Sequence, residues 1–220
     1  MTISKIPGLD IQMDMRGSWA SVRDQGLRGS CLACATSDAH ARSQDRSRPL
    51  SAEFLFFHAG QLMPGADVSA GLTFVAVERA LREEGQPDEA EWPYMSTQPT
   101  HWHPPIVTQL WHGAATSASK AVSNILTALD GHQAVVIGIR LTQEFLSLTS
   151  PFLVPAIGKG FGGHAVLAVG WARSAHQGEL LLIRNSWGSG WADSGYAWLP
   201  TAYLADKLIG FTTVRPLKTH

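Results

Sequence analysis

Apolar residues recur along this chain with two different periods. Cys31–Arg42 reads CLACATSDAHAR, a run of small residues without Gly or Pro, and Gly29 and Ser30 ahead of it are suited to turn the chain and cap a helix. A helix is therefore predicted from Cys31. Ser51–Gly60 (SAEFLFFHAG) joins a Ser cap, a Glu in the first turn and an apolar run, while Leu72–Glu84 sets Phe74, Val77 and Leu81 at helical spacing before Gly85. From Gln86 to Pro105 Pro, Trp and His crowd together, predicting an irregular connector, and Ser119–Asp130 predicts a further helix. Beyond it, Ala134–Leu141, His164–Trp171, Glu179–Arg184 and Tyr196–Leu199 are short β-branched or aromatic runs between Gly and Ser, the pattern of antiparallel strands or a small barrel. Helices first and strands afterwards predict an α+β fold rather than an alternating βαβ sheet, with the change of texture near residues 100–115.

Composition narrows the function classes. Of 220 residues 45% are hydrophobic and 16% charged, enough to build a core without disulfides. Lys and Arg number 17 against 18 Asp and Glu, so there is no basic footprint for nucleic acid. No apolar run approaches the ~18 residues of a membrane span, and Met1–Asp10 lacks the ~7–15-residue apolar core of a secretion signal. A cytoplasmic location is expected, or delivery into a target cell as an effector. The two cysteines, Cys31 and Cys34, lie too close in sequence for a long-range staple, which fits a reducing compartment.

Candidate chemistry gathers in Val22–Ala35, VRDQGLRGSCLACA. Cys31 falls at a predicted helix N-terminus, where free amides and the helix dipole favour thiolate over thiol, so a lowered thiol pKa and a nucleophilic sulfur are expected. The Gln25 amide and the Cys31 backbone N–H are suited to receive a developing oxyanion, and Gly29 lets the backbone bend closely between them. A Cys–imidazole pair needs a base and a third polar group that holds the ring in its useful tautomer.

QGLRGSCLACA resembles the active-site segment of the papain-like cysteine peptidases, and the later motifs follow in that family's order: GGHAVLAVGW over Gly162–Trp171 and RNSWGSGWADSGY over Arg184–Tyr196. The resemblance implies a two-lobe fold, a helical left lobe over about 20–105 and a β-barrel-like right lobe over about 106–200, within one domain spanning residues 1–220 and with terminal segments crossing between lobes. A cleft between the lobes would hold the site. Carried over residue by residue, it makes Cys31 the nucleophile, His164 the base and acid, Asn185 the orienter of the imidazole, Gln25 the oxyanion donor and Trp187 the shield over the His164–Asn185 bond. It makes Gly71 a contact for extended substrate backbone and lets Ala165 line the pocket for the second residue before the scissile bond, with Gly29 and Gly163 admitting chain close to the cleft.

Several positions depart from the family pattern. Leu27-Arg28 stands where secreted members carry a disulfide cysteine, Leu32 follows the nucleophile in place of a large aromatic residue, and Ala70 and Ala192 replace usual glycines. Only thirty residues precede Cys31, too few for the family's inhibitory propeptide, so the expectation is either that a propeptide has been removed or that activity is restrained by another domain, by a partner such as an inhibitor or immunity protein, or by delivery. The activity implied is peptide-bond hydrolysis on protein or peptide substrates without metal or cofactor, which suits an intracellular processing enzyme or the protease domain of a bacterial toxin or effector. Glutamine deamidation or transamidation on the same three residues is the alternative. Cys31 and Cys34 also form a C-x-x-C, but no βαβ unit surrounds it, which argues against a thiol oxidoreductase. The glycines of GKGFGG open a predicted strand rather than a helix and so do not predict a dinucleotide site.

Overall fold

The computed structural model describes residues 6–65, 67–117 and 121–217. Three helices come first, α1 (Cys31–Ser43), α2 (Ala52–Gln61) and α3 (Phe74–Glu83). The two later ones are capped as their sequences predict: Ser51 Oγ accepts from the Phe54 amide at 3.1 Å, and Thr73 Oγ1 from the Ala76 amide at 3.2 Å. Helix α3 turns Ala76, Val77, Ala80 and Leu81 inward, and Gly85 leaves it in the left-handed conformation, φ +71°, where the Trp111 carbonyl sits too close to admit a Cβ. Helix α1 differs. It is buried from Leu32 to Ala41 with Thr36, Ser37, Asp38 and His40 among its inward residues, so its position depends on polar partners as well as apolar packing.

A seven-stranded antiparallel sheet supplies the second lobe, in the order β2 (Gly113–Ser117), β7 (Leu208–Pro216), β3 (Val135–Leu141), β4 (Phe161–Ser174), β5 (Gly178–Arg184), β6 (Tyr196–Pro200). The seventh strand, β1 (Leu9–Asp14), also pairs with β4. Strand β4 is long enough to hold two partners on one edge: its first half pairs with β3 and its second half with β1. The barrel-like expectation is corrected in one respect, since β2 and β6 end the ladder without meeting and the sheet stays open. Three strands, β1, β2 and β7, were not predicted, and they tie both ends of the chain into the sheet. Helix α4 (Val122–Asp130) is the predicted fourth helix, whose expected start at Ser119 lies outside the described residues. Two single-turn helices, α5 (Gln143–Leu146) and α6 (Leu204–Lys207), complete the order.

Between helices and sheet lies one apolar core in which Leu55, Leu81, Ile137, Leu181, Ile183 and Tyr203 have no exposed surface. The connector predicted over Gln86–Pro105 is irregular, held to its surroundings by isolated bridges such as Leu50 to Asp88 and Gln86 to Trp111. Among the described residues no helix is long and apolar enough to cross a membrane.

Candidate active site

Cys31 opens α1, with Ser30 as its cap residue. Ser30 makes no side-chain cap bond to the helix; its Oγ lies 2.5 Å from the Tyr94 hydroxyl, which donates to the Gln25 carbonyl at 2.9 Å. The first helical amides therefore keep their donors for the sulfur, and the backbone N–H groups of Cys31, Leu32 and Ala165 each pull the thiol pKa down. Burial is the larger effect and pushes the Cys31 thiol up, which corrects the expectation of a lowered pKa.

His164 sits on β4 opposite Ile139 of β3. Pairing of Leu167 with Arg184 in the next strand brings Asn185, one residue past β5, beside it. His164 Nε2 and Asn185 Oδ1 are 2.7 Å apart, and Oδ1 also accepts from the Ser186 amide at 2.8 Å. An atom that accepts from a backbone N–H is the amide oxygen, so Nε2 carries the hydrogen of the neutral ring and Nδ1 holds the free lone pair. The Trp187 ring packs on the His164 ring with centroids 4.6 Å apart, and Phe145 meets Trp187 edge-on at 5.6 Å. Burial holds the imidazole down to about 4, against which the Asn185 bond pulls upward. Neither the thiol nor the imidazole ionises readily alone.

Gln25 is buried and gripped at both ends. Ser186 Oγ donates to its Oε1 at 2.7 Å and its Nε2 donates to the Arg28 carbonyl at 2.8 Å, while its backbone N–H donates to the Ser186 carbonyl at 2.8 Å. One hydrogen of Nε2 is thus engaged by Arg28, and the amide offers the second.

Cys31, Gly71, Gly163, His164 and Ala165 line one cleft of 290 Å³, whose far wall includes Phe74 and Ile209. Gly71 has φ +107°, and a Cβ there would meet only the Gly29 carbonyl oxygen, at an uncrowded 3.9 Å, so conformation rather than crowding selects glycine there. Gly29 is selected by crowding: a Cβ would stand 2.6 Å from the Ser69 carbonyl and 2.7 Å from the Gly71 amide. Gly29 thus packs on the backbone of Gly71, which lines the cleft, while Asn185 and Trp187 contact His164 and Gln25 is tied to Ser186, the residue after Asn185. All nine residues singled out from the sequence therefore meet in one region. Cys34 points into the core with its thiol pushed up to about 12 by burial, a poor partner for dithiol chemistry. The GKGFGG glycines open β4 and no helix.

Several residues escaped prediction. Asp38, two turns along α1, accepts from Arg23 Nε and from Arg184 Nε, each at 2.8 Å, joining the helix of Cys31 to the residue before Asn185. Ser186 and Tyr94 hold Gln25 as described. Arg28 was marked only as a departure from the family pattern, because a charged side chain in a glycine-rich turn reads as exposed; it is buried instead, and paired with Glu53 of α2.

Comparison with known proteins accords with this geometry. A sequence profile described as papain family cysteine protease matches residues 9–206. A peptidase C1-like protein of Acanthamoeba polyphaga mimivirus is 27% identical over 209 residues, covering 84% of this chain and 65% of its own length. Digestive cysteine proteinase 1 of Homarus americanus is 28% identical over 198 residues, covering 85% of this chain and 60% of its own. This chain thus spans less than two thirds of both relatives. Among solved structures, xylellain, a cysteine protease from Xylella fastidiosa, superposes with a TM-score of 0.76 at 20% identity over 98% of this chain and 88% of that one. The proform of the ragweed pollen cysteine protease Amb a 11 does so with a TM-score of 0.75 at 20% identity, over 100% and 69%.

Proposed function

Because the chain belongs to the papain family of cysteine proteases, we propose that it is a cysteine endopeptidase hydrolysing peptide bonds of protein substrates with Cys31, His164 and Asn185 as its triad. The observation that carries this reading is the 2.7 Å bond from His164 Nε2 to Asn185 Oδ1 at the edge of the cleft that Cys31 lines, because it leaves Nδ1 as the base. Cys31 Sγ gives its proton to Nδ1 and attacks the scissile carbonyl carbon. The oxyanion that forms takes hydrogen bonds from Gln25 Nε2 and the Cys31 N–H. The imidazolium then protonates the leaving amine as the C–N bond breaks, leaving a thioester, and neutral His164 draws a proton from the water that cleaves it. Gly71 offers backbone to an extended substrate, Gly163 and Ala165 shape the wall beneath it, and Trp187 keeps water from the ring. We assign residues 1–220 to one peptidase domain with a helical lobe over about 20–105 and a β-rich lobe over about 106–200.

The test is a proteome exposed to the chain and to its Cys31→Ala variant, with new N-termini read by mass spectrometry. New termini with the wild type and none with the variant are expected. One-unit mass gains on glutamine without new termini would instead establish deamidation, and equal activity of the variant would remove Cys31 from the chemistry. A role as the protease of a toxin or effector is tested separately, by whether a tight inhibitor or immunity protein co-purifies with the active chain.

A further inference from the structure

Arg28, in the turn between Gln25 and Cys31, forms with Glu53 of α2 a fully engaged buried ion pair that the catalytic steps do not use. Arg28 donates from Nη1 to Glu53 Oε2 at 2.6 Å and from Nη2 to Glu53 Oε1 at 2.8 Å, a two-pronged contact. Its Nη1 also reaches the Met95 carbonyl at 2.6 Å and its Nε the Gln98 side-chain oxygen at 3.1 Å. Glu53 is equally committed: Oε1 accepts from Trp102 Nε1 at 2.6 Å and Oε2 from the Met95 amide at 3.2 Å. Glu53 has no exposed surface and Arg28 only 6%. The guanidinium lies 4.8 Å from the Phe56 ring centroid and 5.3 Å from that of Tyr94, so its plane as well as its charge is held.

A side chain fixed in this way fixes its own backbone. The Arg28 carbonyl takes the hydrogen bond from Gln25 Nε2 at 2.8 Å, and the Arg28 amide closes the same turn on the Gln25 carbonyl at 3.4 Å. We propose that the Arg28–Glu53 pair is a positioning device for the oxyanion donor: through the Arg28 carbonyl it aims the Gln25 amide at the place where negative charge develops. This rests on the protease reading above and adds two residues to it that touch neither substrate nor the reacting atoms. The pair acts on the tetrahedral state more than on the bound substrate, because the donor is needed where the oxyanion forms. A displacement of the amide by about 1 Å suffices to matter.

The experiment uses the double variant Arg28→Met/Glu53→Leu, which removes both charges and leaves neither unpaired. Expected are a cooperative melt, a kcat for a peptide amide lowered about 10–100-fold with KM nearly unchanged, and an unaltered rate of Cys31 alkylation by iodoacetamide, a reaction that forms no oxyanion. In a Gln25→Ala background the same double change is expected to cost almost nothing further, since the group it aims is gone. A wild-type kcat in the double variant overturns the proposal. So does a loss of equal size in alkylation and turnover, or the full loss persisting without Gln25. Should the double variant fail to fold, Arg28→Lys, which keeps the charge and loses the two-pronged contact, is subject to the same three readouts. Failure of the protease reading itself looks different: the wild-type chain would cleave no peptide, or its cleavage would survive complete alkylation of Cys31.

Discussion

Around Cys31 the chain is held by buried charge and hydrogen bonds, whereas around His164 it is held by the packing of a dry sheet. On the helical side Arg23, Arg28, Asp38, Glu53 and Tyr94 grip the segments on either side of Cys31. On the sheet side Leu167, Ala168, Val169, Leu181 and Ile183 build the dry middle of β4 and β5 with almost no exposed surface, and beside them the buried polar groups His164, Arg184 and Asn185 stand near the strand ends. The difference follows from what each side positions. A strand with fixed register places a side chain by its ladder alone, so apolar packing suffices for His164. The Gln25–Ser30 turn has no ladder, and directional bonds must do what register does elsewhere.

The largest effect that sharpens this comparison is truncation of a polar anchor. Glu53→Ala leaves the Arg28 guanidinium buried without its counter-charge and is expected to cost about 3–5 kcal/mol in urea unfolding. Its apolar counterpart is Leu181→Ala in β5, a fully buried side chain, for which a loss of about 3 kcal/mol is expected, within the usual range for cavity formation. If Leu181→Ala proved the costlier by a wide margin, the contrast between the two sides would break.

Acid tests both sides at once, since each buries one imidazole: His40 on α1, with Gln86 Oε1 2.9 Å from its Nδ1, and His164 on β4. Desolvation holds both down to about 4 from an ordinary value of 6.5. Protons therefore prefer the unfolded chain below pH 6.5. Stability from these groups is intact above 6.5 and lost as pH falls towards 4, by an amount on the order of 3 kcal/mol for each ring. Denaturation curves at pH 7, 5.5 and 4 measure the slope, and His40→Gln should remove about half of it. The smallest effect is at a helix cap: Thr73→Ala should cost about 1 kcal/mol, read as a shift of the urea midpoint with unchanged slope.

Legibility in the sequence divides along the same line. Helices α2 and α3 carried caps and periodic apolar residues, and strands β3 to β6 carried β-branched runs, so local pattern sufficed for them. Strand β1 is mostly exposed and β2 is GAATS, small residues with little strand preference, so both are strands only because β4 and β7 offer them edges. Strand β7 has the pattern, with Phe211 and Val214 buried, but its place between β2 and β3 is set by long-range pairing that no local signal carries. At the site, the residues to which the proposed chemistry is assigned were visible because motifs contain them. Arg28, Glu53 and Asp38 were not, because a buried charge has the same letter as an exposed one until its partner is known. Ala192 shows the converse: it stands where glycine is usual, yet keeps the left-handed backbone at φ 46°.

Asp38 belongs to both lobes. One carboxylate oxygen is bound from Arg23, ahead of the nucleophile, and the other from Arg184 at the end of β5. Opening either lobe strands a charge that the other has already desolvated, so partial unfolding is penalised from both directions. The two lobes are therefore one cooperative unit, and calorimetry should record a single transition whose measured enthalpy equals its van't Hoff value.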